Sequence, residues 1–282
     1  AAGTADAMET VARVELTPDE VRQTVRDSNG CIAWNGRLNH SSIDDVMNSI
    51  TRPLGIDSTK WAVASILSKK LAAGATHTII DIPVGPYAKV QQGREGRELS
   101  RLFEEVGAGI GMTVIARVTD GSRPIGRGIG PALEVRDVYK VLENAPDAPE
   151  DLREKALGFA ASILEWDPEV SRGRGRGLAA KILQTGQALK SLESIIDAQG
   201  RKGNPDRPGD LVYAVTASRS GTISKIDSHR ISGIARRAGA PMDKSAGIDL
   251  AIRLGEEVKA GDTLYFIHAN IESDFRIAGD AA

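Results

Sequence analysis

Apolar residues recur at helical spacing in several separate stretches of the chain. Between Leu99 and Val106 they lie at i, i+3, i+4 and i+7, which predicts one apolar helix face. From Ser58 to Ala73 a broad apolar face predicts a second helix, which ends at Gly74. Capping residues and apolar spacing predict further helices from Thr4, over Thr17–Asn29, from Pro131, over Pro149–Trp166, over Leu178–Gln199 and near Ile231–Ala238.

Short apolar runs between turn residues predict the strands. Thr76–Ile82 and Met112–Val118 are each followed by a loop and a helix, so they predict two β–loop–α units with parallel strands. Because such sheets bind ligands beyond the carboxyl ends of their strands, we expect chemistry in the two loops that follow. Further strands are predicted at Cys31–Trp34, Leu211–Thr216 and Gly247–Leu254, and a strand–turn–strand pattern over Gly255–Leu264.

The spacing of apolar residues changes to the alternation typical of strands after the segment at 200–209. This change predicts an α/β protein with a second, smaller domain. We expect a sheet flanked by helices with a small helical lobe, followed by a C-terminal β-rich α+β domain. The segment at 200–209 is rich in glycine, proline and charge and is the best linker. The predicted division is 1–35 and 71–204 for the α/β domain, 36–70 for the helical lobe and 205–282 for the C-terminal domain.

Composition narrows the classes of partner. The chain has 36 Lys and Arg against 38 Asp and Glu, a net charge of −2, and only 4% aromatic residues. This balance does not attract polyanions, so we expect neither a nucleic-acid nor a membrane partner.

Cysteine, histidine and apolar runs indicate the compartment. Cys31 is the one cysteine and cannot form an internal disulfide, and the four histidines show no ligand spacing, so no metal site is predicted. The longest apolar stretch, near Ala156–Leu164, is about half of the ~20 residues that cross a bilayer. With no signal pattern at the first residues, these features predict a soluble, cytoplasmic protein.

Two pairs of residues are candidates for chemistry. Ser65 and Lys69 are four apart on a predicted helix, so they share a face and could present a hydroxyl and an ammonium to one ligand. The alternative is a packing serine and a solvated lysine. Asp44 and Asp45 offer a carboxylate for proton donation if an apolar cleft raises its pKa. The alternative is a charge pair at the start of a helix.

Three other segments suggest ligand contacts. The glycine-rich loop Thr119–Gly130 could hold an anion at a helix start, although its spacing matches neither the P-loop nor the dinucleotide fingerprint. The basic segment Ser171–Gly177 could contact phosphate or simply lead into a helix. Lys244, in a turn before Gly255–Leu264, resembles the acylated lysine of lipoyl and biotinyl carrier domains. Such a carrier, at about 80 residues, would leave most of the chain unexplained.

Four segments resemble, in this order, the thymidine/pyrimidine nucleoside phosphorylase family. They are Ala1–Glu9, Ser65–Lys70, Ile80–Gly85 and Gly130–Arg136. The last two are most similar to the branch with AMP phosphorylases and bacterial thymidine phosphorylase-like proteins. The resemblance covers essentially the whole chain, and several motifs in order are more specific than any one of them.

The resemblance implies a pentosyltransferase. Inorganic phosphate, as co-substrate, would attack the anomeric carbon of a thymidine or other pyrimidine nucleoside, releasing the base and a (deoxy)ribose 1-phosphate. The alternative is an AMP phosphorylase acting on nucleoside 5′-monophosphates, and the remote alternative is the carrier module. No other cofactor is implied, and we expect a homo-oligomer, such as a dimer, when the protein is full length.

The resemblance assigns individual site residues of the family to positions in this chain. Ser65 and Lys69 fall on the serine and lysine that hold the base, and Thr4 falls on a threonine that contacts phosphate. Arg52 falls near the base-binding arginine but lies closer to the serine than in the pyrimidine enzymes. The aspartate after that arginine is replaced by proline, so the resemblance implies Asp44 or Asp45 as the acid that protonates the leaving base.

Two departures from the family pattern bear on activity. The family's phosphate-binding Lys-x-Ser-x-Gly-Gly-Val-Gly stretch does not occur in the chain. We therefore expect a C-terminal portion of a longer protein that turns over little or nothing alone. The family also permits a potassium ion near Glu134, whose alternative role is an exposed residue in the first turn of its helix.

Overall fold

The structure, a computed structural model, describes residues 2–34, 36, 46–47, 49–50 and 58–282. The chain forms two compact units. Unit 1 contains residues 1–34 and 124–282, and unit 2 contains residues 35–123. The mixture of helices with parallel and antiparallel strands confirms the predicted α/β class with a C-terminal α+β part. The four-part domain division drawn from the sequence stays a prediction.

Ten helices and eight strands lie in the described ranges. The helices are α1 Thr4–Met8, α2 Pro18–Ser28, α3 Thr59–Ala72, α4 Gly93–Gly109, α5 Pro131–Leu142, α6 Glu150–Leu164, α7 Gly175–Gln184, α8 Gln187–Gln199, α9 Ser228–Arg237 and α10 Glu272–Asp280. The strands are β1 His77–Val84, β2 Thr113–Asp120, β3 Gly128–Ile129, β4 Leu211–Thr216, β5 Gly221–Thr222, β6 Gly247–Leu250, β7 Glu257–Val258 and β8 Thr263–Ala269. Over these same ranges no helix is both long and apolar enough to span a bilayer.

Unit 2 is built on the parallel pair β1 and β2, as the sequence predicts. The strands are in register with Ile80 opposite Ala116. Val63 and Leu67 of α3 and Phe103 of α4 are each 1% exposed and pack with the strands in one core. This packing fixes which faces of α3 and α4 are turned toward the strands.

Unit 1 contains an antiparallel sheet with the order β3-β6-β8-β4. Ile248 of β6 and Ile267 of β8 are fully buried and pack against α9. Strand β3 lies before the predicted linker at 200–209, whereas its partner β6 lies after it. The sheet therefore joins two parts of the chain that the sequence patterns place in different domains.

The helix ends follow the capping residues in the sequence. At α2, the Thr17 hydroxyl accepts the Glu20 amide at 3.3 Å, and the Glu20 carboxylate accepts the Thr17 amide at 2.7 Å. Asn29 ends that helix with a left-handed φ of 59°. The Ser58 hydroxyl accepts the Trp61 amide at 3.4 Å and starts α3. Both predicted helix starts are confirmed.

Three predicted elements differ in the structure. Cys31–Trp34 forms no strand, because a single backbone bond from Trp34 N to Val14 O, 2.8 Å long, does not make a ladder. The predicted helix Leu178–Gln199 is interrupted at Gly186, whose φ is 72°. Strands β7 and β8 flank the predicted turn, but β7 pairs with β5 and not with β8.

Candidate functional site

Ser65 and Lys69 lie on one face of α3, as their spacing predicts. The Lys69 ammonium nitrogen Nζ donates to Ser65 Oγ at 3.4 Å, and both residues are half-buried. The buried Val63 and Leu67 anchor the same helix in the core of unit 2. A hydroxyl and an ammonium are thus held together on a rigid element, although their contact with a base stays a prediction.

The carboxyl ends of β1 and β2 bring polar groups together. The Thr119 hydroxyl donates to Asp81 Oδ1 at 2.6 Å. The following loops approach so closely that a Cβ on Gly85 would lie 2.5 Å from the Gly121 carbonyl carbon. Asp81 and Thr119 lie in the C-terminal halves of β1 and β2, near the loops where the sequence predicts chemistry, but the sequence patterns did not single them out as a pair.

A cavity of about 620 Å³ lies within unit 2. Apolar side chains dominate its wall, and Asp81, Lys89, Glu95 and Thr59 supply the polar positions. Its apolar lining residues are Ala62, Ile66, Ile80, Ile82, Pro83, Ala88, Val90, Leu99 and Phe103.

Three predicted site residues cannot be placed. Asp44 and Asp45, the candidate acids, and Arg52, the candidate base ligand, lie outside the described residues. Their roles stay predictions.

In unit 1, Thr4 is exposed and is the first residue of α1. The preceding Gly3 amide donates to Asp6 Oδ2 at 2.9 Å, so an acidic side chain closes the turn around Thr4. Burial opposes the charge of Asp6, but the Gly3 amide and the Lys244 ammonium outweigh it and lower the pKa of Asp6. Thr4 therefore begins a short helix whose start is already stabilised by a carboxylate.

Lys244, Asp6 and Glu9 form one ion cluster, called here the Lys244 cluster. The Lys244 Nζ atom lies 3.0 Å from Asp6 Oδ1 and 2.8 Å from Glu9 Oε2, and the lysine side chain is only 17% exposed. Burial alone would lower the pKa of Lys244, but the two carboxylates raise it above its ordinary value. An acylated carrier lysine must be reached by its modifying enzyme, so a lysine enclosed in this way argues against the carrier alternative.

Glu134 lies in the first turn of α5. Its Oε1 atom accepts the Gly130 amide at 3.1 Å. Burial raises the pKa of Glu134, and the nearby Asp6 carboxylate adds to the increase. Gly130 has a φ of 139°, and a Cβ there would lie 2.3 Å from the Ala246 carbonyl oxygen. The close approach of two backbones therefore requires glycine at this position.

The resemblance permits a potassium ion near Glu134. Over the described ranges, no group of three or more His, Cys, Asp or Glu residues is arranged to hold a metal. Glu134 also uses one carboxylate oxygen for the Gly130 amide. The potassium ion stays a prediction.

Asp137 organises the glycine-rich loop. It is 2% exposed, and its Oδ2 atom accepts the amides of Arg127 at 2.6 Å and Gly128 at 2.8 Å. Its other oxygen accepts from Arg136, which also pairs with Asp249. Because carboxylates of the protein already hold these amides, the loop is not arranged as the anion cradle that the sequence suggests.

The basic segment at 171–177 is likewise occupied by acidic side chains. Glu165 Oε1 accepts the Gly173 amide at 2.8 Å and the Gly175 amide at 3.1 Å. Arg176 pairs with Glu154. The segment leads into α7, as its alternative interpretation states.

Comparison with known proteins extends the resemblance over the chain. Residues 222–282 match the family described as pyrimidine nucleoside phosphorylase C-terminal domain. The chain is 60% identical over 282 residues to the "Bifunctional ribose 1,5-bisphosphokinase-thymidine phosphorylase" of Azorhizobium caulinodans, covering 100% of this chain and 41% of that protein. It is 52% identical over 277 residues to a "Putative thymidine phosphorylase" of Methylococcus capsulatus, covering 98% of this chain and 54% of that protein.

A further relative has the same extent of similarity. The chain is 48% identical over 281 residues to a "Putative thymidine phosphorylase" of Rhodopseudomonas palustris, covering 100% of this chain and 55% of that protein. The chain thus spans about half the length of the curated relatives it matches. Along its whole length the chain is therefore similar to proteins named thymidine phosphorylase, and its residues 222–282 match the C-terminal domain of pyrimidine nucleoside phosphorylases.

Proposed function

We propose that the protein containing this chain cleaves the bond between a base and a pentose with inorganic phosphate. One observation carries this proposal. Relatives named thymidine phosphorylase match the chain over 96–100% of its length. Phosphate attacks the anomeric carbon, the bond to the base nitrogen breaks, and the products are the free base and a sugar 1-phosphate.

The proposed roles follow the chemistry of the side chains. The Lys69 ammonium and the Ser65 hydroxyl donate to the base and stabilise the negative charge that develops as it departs. Asp44 or Asp45 supplies the proton to the departing base, and Arg52 contacts the base. Thr4 donates its hydroxyl to phosphate. The hydrogen bond from the Gly3 amide to Asp6 fixes the turn that carries this hydroxyl.

The substrate is proposed as a nucleoside, with thymidine as the first candidate. The names of the relatives favour it directly. Thymidine would yield thymine and 2-deoxyribose 1-phosphate.

A second candidate is a nucleoside 5′-monophosphate, such as AMP, and one observation favours it. The relatives from Azorhizobium caulinodans and Cupriavidus pinatubonensis carry a name that joins the phosphorylase to a ribose 1,5-bisphosphokinase. Phosphorolysis of a ribonucleoside 5′-monophosphate keeps the 5′-phosphate and adds a second one at C1. The product is ribose 1,5-bisphosphate, the compound in the kinase's name, whereas thymidine gives a sugar without a 5′-phosphate.

Phosphorolysis assays of the full-length protein separate the two candidates. Thymidine, uridine and AMP are each incubated with inorganic phosphate, and the released base and sugar phosphate are identified by chromatography and mass spectrometry. Cleavage of thymidine without cleavage of AMP would remove the second candidate. Release of adenine and ribose bisphosphate from AMP, with thymidine left intact, would remove the first. Protein that cleaves none of them with phosphate would contradict the proposed function.

A further inference from the structure

Lys244 lies in a turn whose backbone is fixed from several sides. Its carbonyl oxygen accepts the Ala132 amide at 3.0 Å, at the start of α5. The next amide, of Ser245, donates to Asp243 Oδ1 at 2.9 Å, and the Ser245 carbonyl accepts the Gly209 amide at 2.9 Å. The lysine side chain therefore extends toward α1 from a rigid support.

The Lys244 cluster has an unbalanced charge. One ammonium faces two carboxylates, Asp6 and Glu9, so the sum is 1 − 2 = −1. Asp6 follows Thr4 by two residues on the same short helix, which is about 3 Å along the helix axis. Without the lysine, the Asp6 and Glu9 carboxylates would both be uncompensated within the cluster.

This charge matters only if an anion binds at Thr4, so the inference rests on the proposed function. A phosphate anion approaching Thr4 would be repelled by each uncompensated carboxylate, and partial burial makes that repulsion stronger than in water. Lys244 also ties Asp6 of α1, and Glu9 directly after the helix, to the fixed turn. The same ammonium therefore sets both the charge and the position of the helix that carries Thr4.

We propose that Lys244 is a positioning residue for phosphate: it holds α1 in place and offsets one of the two negative charges of Asp6 and Glu9, without touching the substrate. Removal of the ammonium should weaken phosphate binding more than it slows the chemical step. The phosphate KM is then the sensitive quantity, and kcat at saturating phosphate changes little.

The test compares variants of the full-length protein, each checked for folding by circular dichroism. Lys244→Met is expected to raise the phosphate KM about tenfold with a smaller change in kcat. Lys140→Met is the matched control. Lys140, like Lys244, forms an ion pair, but its partner is Asp147 and not a residue of α1. Lys244→Arg keeps the charge and is expected to restore most of the phosphate affinity.

A double variant isolates the charge. Glu9→Gln in the Lys244→Met background returns the net charge of the Lys244 cluster to −1. It is expected to bring the phosphate KM back toward the wild-type value. Glu9→Gln alone leaves Lys244 paired with Asp6 and is expected to lower the phosphate KM. This single variant decides the question if Lys244→Met does not fold, since a higher phosphate KM in Glu9→Gln would overturn the inference.

The outcomes separate the inference from the function on which it rests. If the wild-type protein cleaves no base–pentose bond with phosphate, the proposed function fails and the inference fails with it. If the wild type is active and Lys244→Met has the phosphate KM of the wild type and of Lys140→Met, the inference alone is overturned.

Discussion

Lys69 is the residue whose proposed role can be tested most simply. Lys69→Ala in the full-length protein should lower kcat/KM by an amount equivalent to about 2–4 kcal/mol, because a donor to the departing base is lost. Lys70→Ala is the matched control, since the neighbouring lysine is exposed and lies on another face of α3. Equal values of kcat/KM for the two variants would show that Lys69 does not stabilise the departing base.

Asp137 is expected to be the most important acidic residue for the stability of the glycine-rich loop. Asp137→Asn should lower the free energy of unfolding by about 3 kcal/mol, because the half-buried Arg136 and two loop amides lose the charged acceptor that the buried Asp137 supplies. Urea unfolding followed by circular dichroism measures the change. Asp147→Asn, which removes an exposed acid, should leave the free energy nearly unchanged. Similar losses in both variants would contradict this account of the loop.

At the residue scale, spacing predicted some contacts and not others. Ser65 and Lys69 meet because residues four apart on a helix share a face, which the sequence alone specifies. Asp137 was missed, although a signal was present. It lies on the apolar face of α5 midway between Leu133 and Val141, both buried, and an acid on such a face requires partners. Those partners are the amides of Arg127 and Gly128, in the loop before α5, and the neighbouring Arg136, and no helical spacing pattern identifies the loop amides.

The capping box of α2 predicts a measurable pKa. The Thr17 amide and the Arg13 guanidinium both donate to the Glu20 carboxylate. These hydrogen bonds lower the pKa of Glu20 from 4.5 to about 2. Because the folded pKa is depressed, the stabilisation by Glu20 is complete above pH 4.5 and is lost as the pH falls toward 2. An NMR titration of the Glu20 side chain should have its midpoint near the lower value. A midpoint near 4.5 would show that the box does not form.

The contact between α5 and β6 predicts a strong requirement for glycine. Gly130→Ala should destabilise the protein by more than about 2 kcal/mol, since the new methyl group would overlap the Ala246 carbonyl at a φ of 139°. Gly177→Ala is the control, because Gly177 lies inside α7 with nothing within 4 Å of the added Cβ. That variant should be neutral or up to about 1 kcal/mol more stable. Thermal unfolding of both variants tests the difference, and an equally stable Gly130→Ala would contradict the close approach.

At the element scale, local signals in the sequence predict where helices begin. They do not predict which strands pair with each other. The caps at Thr17 and Ser58 are local, so the sequence predicts them correctly. The interruption at Gly186 was missed because a glycine within an apolar helix pattern does not by itself impose a positive φ. The partner of β7 is β5, which is more than thirty residues away, and a turn pattern carries no information about that choice.

At the scale of the whole molecule, motifs in the sequence indicate the family, whereas the pairing of distant strands has no local signal. Four short segments in order suffice to indicate the thymidine phosphorylase family, which the match with relatives confirms. Strand β3 forms a sheet with strands from beyond residue 205, a long-range pairing that composition along the chain does not specify. The chain spans about half of its relatives' length, and we expect the isolated 282 residues to show little or no phosphorolysis.

The most direct test of the account is the fate of the phosphate oxygens. The full-length protein is incubated with a nucleoside or nucleoside 5′-monophosphate and ¹⁸O-labelled inorganic phosphate, and the sugar product is analysed by mass spectrometry. Attack of phosphate on the anomeric carbon predicts a sugar 1-phosphate that keeps every labelled oxygen, including the one bonded to C1. Base release that yields a free sugar, or a C1 oxygen taken from water, would contradict phosphorolysis.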